Sequence, residues 1–507
     1  MALLGLDVGT SEIKAAAYRL DGDAICASRM EYAFEQSFPG RFELSADTLW
    51  NAICDAIRSV TRSCPEPIEA LAVAAHGESF VCVDDNGEPI HPFILNVDNR
   101  AGSQMDRIVE LVGRQRVYEL TGMPSHPMYC LPKILWLAEC APHVFRKARR
   151  FLCVHDFVML RLCGEAVIDH SQASRTLAFD INSEEWCTDL LCVAGISSDR
   201  FAGLARSGTP VHSVLPQLAG DLGLESRVLC VAGAHDQVCS ALGGGSIHAG
   251  DCADVTGTFE VISVVQDKPL VAARALDANL PCERFVGLGS FLTLAYSPGG
   301  IVLKWLRNQW ADPSNQRASY AEMTDGLSDT PASVFIFPHL LGTGTPWLNA
   351  EATGAVVGLR METDRRELVR AALEGISYEM RWNIEILASL GIRIARVRAC
   401  GGGAKSRFWL QLKADVWGTE IVAVPGEAGC RGAAICAGIG SGAYASWEEG
   451  VRATRQTGSV YEPRPSLHEV YSERFAHYQE IADRLYGFSF SLPRKAEPHH
   501  IGVSCTT

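Results

Sequence analysis

Cysteine is plentiful in this chain, but nothing organises it. The 18 cysteines form no CxxC pair and no Cys/His spacing of the zinc type, so neither a metal ribbon nor a disulfide scaffold is indicated. Free thiols in that number suit a reducing compartment. Long apolar runs are also missing. No stretch approaches the roughly 20 residues that cross a bilayer, and Asp7 interrupts the N-terminal run too early for a secretory signal. There is no excess of basic residues: 45 Lys and Arg face 59 Asp and Glu, a net charge of −14. That balance excludes a broad nucleic-acid footprint and a patch for anionic lipid. A cytoplasmic globular protein, with no nucleic-acid and no membrane partner, is the expectation. A G-x-G-x-x-G loop followed by a ribose-binding acid is absent too, which removes the dinucleotide reading.

At 507 residues, 47% of them hydrophobic and 21% charged, the chain is too long for one ordinary core and has the composition of well-packed domains. Three stretches carry chemistry. Gly233-Ala234-His235-Asp236-Gln237 follows the apolar run Val228 to Ala232 and precedes a small-residue segment. A carboxylate at that junction is placed to take a proton from a bound hydroxyl; equally, Asp236 could simply cap the next helix.

The second stretch is a repeated hairpin. Asp7-Val8-Gly9-Thr10-Ser11 sits between two strands, with Lys14 on the return. Gly9 can take the positive φ of a tight turn. Turn amides, the Thr10 and Ser11 hydroxyls and the Lys14 ammonium suit phosphate oxygens, and Asp7 suits Mg²⁺. Asp254-Val255-Thr256-Gly257-Thr258 presents the same residue types half a chain later, which implies two related domains gripping one nucleotide. The third stretch is Gly401-Gly402-Gly403-Ala404-Lys405-Ser406, where a strand opens through three glycines onto a helix expected from Ala404 to Trp417. Gly418 stops that helix.

These elements resemble the FGGY family of carbohydrate kinases, over about residues 3 to 445. The first hairpin is similar to that family's first phosphate motif, Asp254 to Thr258 to its second, and Gly401 to Ser406 to its adenosine motif. Gly354 to Leu359 with Glu367, Leu368 and Glu374 resembles its C-terminal signature; Met128 to Cys140, including Lys133, resembles the other with departures at Cys130 and Cys140. The resemblance implies an α/β fold of two actin-like (ribonuclease H-like) domains with a nucleotide cleft between them. The expected divisions are residues 1–246 for sugar binding and the catalytic base, 247–460 for ATP, and 461–507 for a helix and a loose tail.

The implied activity is ATP- and Mg²⁺-dependent phosphorylation of a neutral ketose (xylulose, ribulose or fuculose) or a sugar alcohol such as erythritol. Asp236 inherits the role of general base. Asp7 is implied for the metal, and Gly9, Thr10, Ser11, Lys14, Gly257, Thr258, Gly401, Gly402, Gly403 and Lys405 for the nucleotide. His76 and Glu78, in a loop that lines the family's sugar site, and Asp98 and Arg100 are candidate sugar contacts. His76 could instead be a satisfied core histidine, and Asp98 with Arg100 an internal ion pair. Gly77 replaces a Met or Arg and is expected to widen the pocket. A homodimer is one open assembly. The competing reading, a nucleotide-switched binding protein on the same fold, needs no proton acceptor at Asp236.

Overall fold

Strands dominate where apolar, alanine- and valine-rich runs are bounded by glycine. In the computed structural model they make two large sheets of matching design. The structure describes residues 1–38, 40–309, 319–456 and 458–487; the tail expected from Pro493 to Thr507 lies outside them. The first sheet runs Pro210–Ser213, Leu229–His235, Ile68–Ala75, Ala2–Val8, Glu12–Tyr18, Ala24–Glu31. The second runs Cys282–Arg284, Phe291–Pro298, Phe259–Gln266, Cys252–Thr256, Arg396–Gly401, Glu420–Ala423, Val460–Tyr461.

Each contains the same five-strand order, third-second-first-fourth-fifth. The first three strands pair antiparallel and the last two parallel to the first. Ala2–Val8 is buried at every position except Asp7, as a central strand covered on both faces should be. That burial explains why it reads as a continuous apolar run rather than an alternating one.

A helix follows the fifth strand of each sheet: Asp236–Gly243 in the first and Ala428–Gly440 in the second. These two helices pack against each other, and small residues set how closely. A Cβ on Gly243 would stand 2.0 Å from the carbonyl oxygen of Ala428, one on Gly432 1.9 Å from that of Cys239, and one on Gly5 1.8 Å from that of Cys430. The Ala428–Gly440 helix, though late in the chain, therefore rests on the Ala2–Val8 strand. Residues just beyond it stay on the same lobe, where the Tyr444 hydroxyl donates to Leu20 O at 2.9 Å and Gln456 Nε2 to Gly22 O at 3.3 Å. The long helix Arg365–Ser389 starts at Asp364, whose side chain accepts from Glu367 N, as the Asp-x-x-Glu spacing predicts. Its Glu374 is buried, taking Arg370 Nε at 2.7 Å and Ala332 N at 3.1 Å, which is a scaffold role.

Three expectations change. The helix expected from Ala404 begins only at Arg407, capped by Ser406, because a short 3₁₀ turn, Gly403–Lys405, intervenes. Gly9 does not adopt positive φ; the turn closes through its amide donating to Glu12 O at 3.0 Å. Gly77 does not open space, as the site geometry below shows. Among the described residues no helix is long and apolar enough to cross a membrane.

The glycine contacts generate a prediction. Gly432→Val should lower the melting temperature markedly, because overpacking costs about 1–3 kcal/mol and here the clash is with backbone that cannot rotate away. An unchanged melting curve would show that the two helices do not approach this closely.

Candidate active site

The position of Asp236 is built by its strand. Gly233 lies where the pairing of Leu229–His235 with Ile68–Ala75 shifts register, between Val231 and Ala234. A side chain there would meet Val73 O at 1.9 Å, so glycine permits the irregularity that turns the strand end. Buried groups then hold the turn: Gly233 N donates to His155 Nε2 at 3.1 Å, and His235 N to Ser171 Oγ at 2.8 Å. Ser171 is itself fixed by Asp169, whose carboxylate accepts from Ser171 N, Ser171 Oγ, Gln172 N and Ser207 Oγ.

Asp236 is the first residue of its helix; the cap position belongs to His235, which makes no side-chain cap bond. Asp236 Oδ1 is buried and accepts no hydrogen bond, although His235 Nε2 lies 3.2 Å away. A capping carboxylate would be occupied by helix amides, so the cap reading does not describe this geometry.

His76 faces the same space. Its Nδ1 donates to Val8 O at 3.0 Å, and burial holds its pKa below the ordinary value, so the ring is neutral with a bare lone pair on Nε2. That atom is buried without a partner. Glu78 follows in a left-handed backbone conformation, φ 60°. Its carboxylate is already taken: Arg175 Nε donates to Oε1 at 2.5 Å, and Arg175 also pairs with Glu283 at 3.6 Å. A Cβ on Gly77 would meet Arg175 Cβ and Cγ at 3.0 Å and His235 Nε2 at 3.3 Å. The room that glycine leaves is thus filled by Arg175 and His235. Lys133, fully buried, donates at 2.8 Å to both Glu78 O and Leu95 O and so ties this loop to the next.

Asp98 and Arg100 pair with each other inside the protein. Both Asp98 oxygens are engaged, by Phe42 N and Arg100 Nη2 at 2.7 Å each and by Arg100 N at 3.0 Å and Nε at 2.9 Å. Arg100 continues to Glu43 at 2.7 Å.

On the phosphate side, Asp7 and Lys14 are register partners across the first hairpin. Lys14 Nζ sits among carboxylates, 3.8 Å from Asp7, 3.6 Å from Glu12 and 3.4 Å from Glu427. Burial pushes the Asp7 carboxyl up to about 6 against the pull of Lys14, with Asp236 and Glu427 adding to the rise. The start of the Ala428–Gly440 helix closes on it: a Cβ on Gly429 would stand 2.6 Å from Asp7 Oδ2. Among the described residues no group of three or more His, Cys, Asp or Glu side chains could form a metal cluster. A cation at Asp7 would therefore complete its shell from water and a ligand's phosphate oxygens.

Backbone is bare at two of the glycine turns. A Cβ on Gly9 would meet nothing nearer than Glu12 O at 3.1 Å, and one on Gly402 only Thr256 O at 3.7 Å. Gly403 is different, because Thr256 packs at 2.7 Å from where its Cβ would be. Gly402 N donates to Thr256 O at 2.9 Å, which joins the Gly-rich loop to the second hairpin. Gly257, Thr258, Gly402 and Lys405 are exposed, Thr10 and Gly401 partly so, and Ser11 lies exposed on the first turn. Asp254 is buried against Lys413 at 2.5 Å and anchors the second hairpin from within.

Asp7 thus lies close to Lys14 and Asp236, and His76 close to Asp236 and Glu78, while Asp98 and Arg100 satisfy each other. Arg175 directly follows the His170–Ser174 helix, but no spacing rule linked it to Glu78. Glu283 had no signal at all, because it comes from the other half of the chain.

Lys133 yields a pH prediction. Burial lowers its pKa from 10.5 to about 8, against the opposing pull of Cys130, Asp98 and Glu78. Between these values the unfolded chain binds the proton and the folded one does not, so stability rises with pH across that window. At about 1.4 kcal/mol per unit, the stability difference between the parent and Lys133→Met should grow in the parent's favour by roughly 3 kcal/mol from pH 7.5 to pH 10.5. Urea unfolding at several pH values measures it, and a pH-independent difference would refute the buried, neutralised lysine.

Comparison with known proteins bears on the fold and family. The N-terminal domain profile of the FGGY family of carbohydrate kinases matches residues 2–243, and its C-terminal domain profile matches residues 252–441. A gluconokinase of Bacillus subtilis is 27% identical over 478 residues, covering 91% of each chain. A xylulose kinase of Staphylococcus epidermidis is 29% identical over 492 residues, covering 94% of this chain and 96% of the relative. The crystal structure of a ligand-bound xylulose kinase from Lactobacillus acidophilus superimposes with a TM-score of 0.86 at 25% identity, covering 96% of this chain and 99% of the other. With both domain profiles matched in order and the two-lobed actin-like architecture present, the chain belongs to the FGGY family of carbohydrate kinases.

Proposed function

We propose that the protein transfers the γ-phosphoryl group of ATP to a hydroxyl of a neutral ketose or sugar alcohol, with Asp236 as general base. One observation carries this reading. His76 Nε2 is a buried acceptor with no protein donor, and near it Asp236 Oδ1 makes no hydrogen bond and has only the ion-pair contact with His235 Nε2 at 3.2 Å, so a hydroxyl can donate to this pair. In the reaction the acceptor oxygen bonds to phosphorus, the bond from phosphorus to the departing ADP breaks, and the hydroxyl proton passes to Asp236. Asp7 would hold Mg²⁺, which supplies neutralisation of charge on the phosphoryl oxygens. Lys14 and the bare turn amides at Gly9 to Ser11 and Gly257 to Thr258 would bind phosphate, and Gly401 to Gly403 with Lys405 the nucleoside side. In this reading residues 1–246 carry acceptor and base, and 247–460 the greater part of the nucleotide site.

The neutral substrate follows from charge. Arg175 is matched by Glu78 and Glu283, Arg100 by Asp98 and Glu43, and Lys133 by two carbonyls. A substrate carboxylate would meet Asp236 and His76 Nε2, both acceptors, and would be repelled. Asp98 and Arg100 act as scaffold, and Arg175 holds Glu78 Oε1. A nucleotide-switched binding protein would have no use for a bare proton acceptor in this place.

Asp236→Asn should keep the fold and both ligands and lose about 10²–10⁴ in kcat, roughly 3–5 kcal/mol of barrier, with KM much less affected. A stable variant turning over at more than about a tenth of the parent rate would remove Asp236 from the role. Gluconate, assayed beside xylulose, ribulose, fuculose and erythritol, should be the poor substrate. Activity confined to the sugar acid would overturn the neutral-substrate reading.

A further inference from the structure

Behind Asp236 lies a chain of buried charge that the proton transfer itself does not require. Glu283, wholly buried, belongs to Cys282–Arg284, the edge strand of the second sheet. Its Oε1 is 2.9 Å from His235 Nδ1, and its Oε2 is 3.6 Å from Arg175 Nη1. His235 Nε2 faces Asp236 Oδ1 at 3.2 Å. The chain thus runs Glu78, Arg175, Glu283, His235, Asp236, from the acceptor loop to the base. An imidazole with a carboxylate at each nitrogen must carry a proton on both, because the neutral ring has only one donor.

The edge strand that brings Glu283 is docked on the first lobe. Cys282 N donates to Gly122 O at 2.8 Å, Arg284 N to Ser174 Oγ at 3.3 Å, and the Tyr118 hydroxyl to Leu280 O at 2.6 Å. Gly77 belongs to the same arrangement, since any side chain there would press on Arg175 and on His235 Nε2.

We propose that His235, held as an imidazolium between Glu283 of the second sheet and Asp236, is a positioning residue for phosphoryl transfer, fixing the Asp236 carboxylate toward the substrate hydroxyl only while the two lobes are docked. This rests on Asp236 being the general base. Four groups face the ring: Glu283 from the edge strand, Asp236 from its own helix, Arg175 from beyond the His170–Ser174 helix, and His76 from the end of Ile68–Ala75. Burial works against the charge, but Glu283 and Asp236 outweigh it and push the pKa of His235 up to about 9.

The test is kcat against pH for the full-length enzyme, with ATP, Mg²⁺ and whichever neutral sugar the substrate panel identifies. The parent kcat should turn down near pH 9. His235→Gln should lose about ten- to a hundredfold in kcat, the scale of a misplaced catalytic group, with both KM values little changed and no downturn there. Glu283→Gln should move the downturn toward the ordinary histidine range near 6.5, so that activity lost at pH 8 returns at pH 6. The double variant should be no slower than His235→Gln.

A parent profile flat through pH 10, an unmoved downturn in Glu283→Gln, or losses confined to KM or melting temperature would each overturn the proposal. If His235→Gln does not fold, the Glu283→Gln profile decides alone. A fully active Asp236→Asn sinks the base itself; an inactive Asp236→Asn beside a normal His235→Gln sinks only this inference.

Discussion

The close approach of two helices is the constraint on which the site depends. Asp236–Gly243 and Ala428–Gly440 touch backbone to backbone through Gly243 and Gly432, and Gly5 lets the second helix sit on the central strand of the first sheet. The register of the first sheet, Asp7 beside Ala74 and Ala74 beside Ala234, brings the carboxylates of Asp7 and Asp236 within electrostatic reach, and the second helix sets Gly429 over Asp7. Larger side chains at these glycines would clash with backbone carbonyls of the partner element. A cleft made this way is set by excluded volume, which is stiff, rather than by surface ion pairs, which yield easily.

Charge then distributes the work within the cleft. Around Asp236 the cations are already paired, Lys133 on two carbonyls, Arg175 between two glutamates and His235 between Glu283 and Asp236, while His76 Nε2 has no partner. Around Asp7 the balance is the reverse, with Lys14 gathering three carboxylates.

Substitution at Gly77 shows why local reading of a pocket can mislead. Read alone, glycine in place of a larger residue means space. In the fold, Arg175 comes from another segment and occupies that space, and its guanidinium is held by Glu78 and by Glu283 from the opposite sheet. The position is small because the network needs it small.

By itself the sequence determined the local elements. Runs such as Leu3 to Leu6 and Cys252 to Val255 make central strands; Asp364 starts a helix and Gly418 ends one. Glycines mark each turn that exposes backbone, and Asp236 stands at a strand-to-helix junction. These features follow from propensity, periodicity and φ preferences, which act over a few residues. What only the tertiary structure decided involves partners distant in the chain. Asp98 and Arg100 satisfy each other, Gly9 keeps an ordinary φ because its turn closes through Glu12, and Gly403–Lys405 tightens into a 3₁₀ turn against Thr256 before the helix begins. Glu283 meets His235 across 48 residues and two sheets. Such pairings depend on packing and on the need to satisfy buried charge, neither of which leaves a spacing in the sequence.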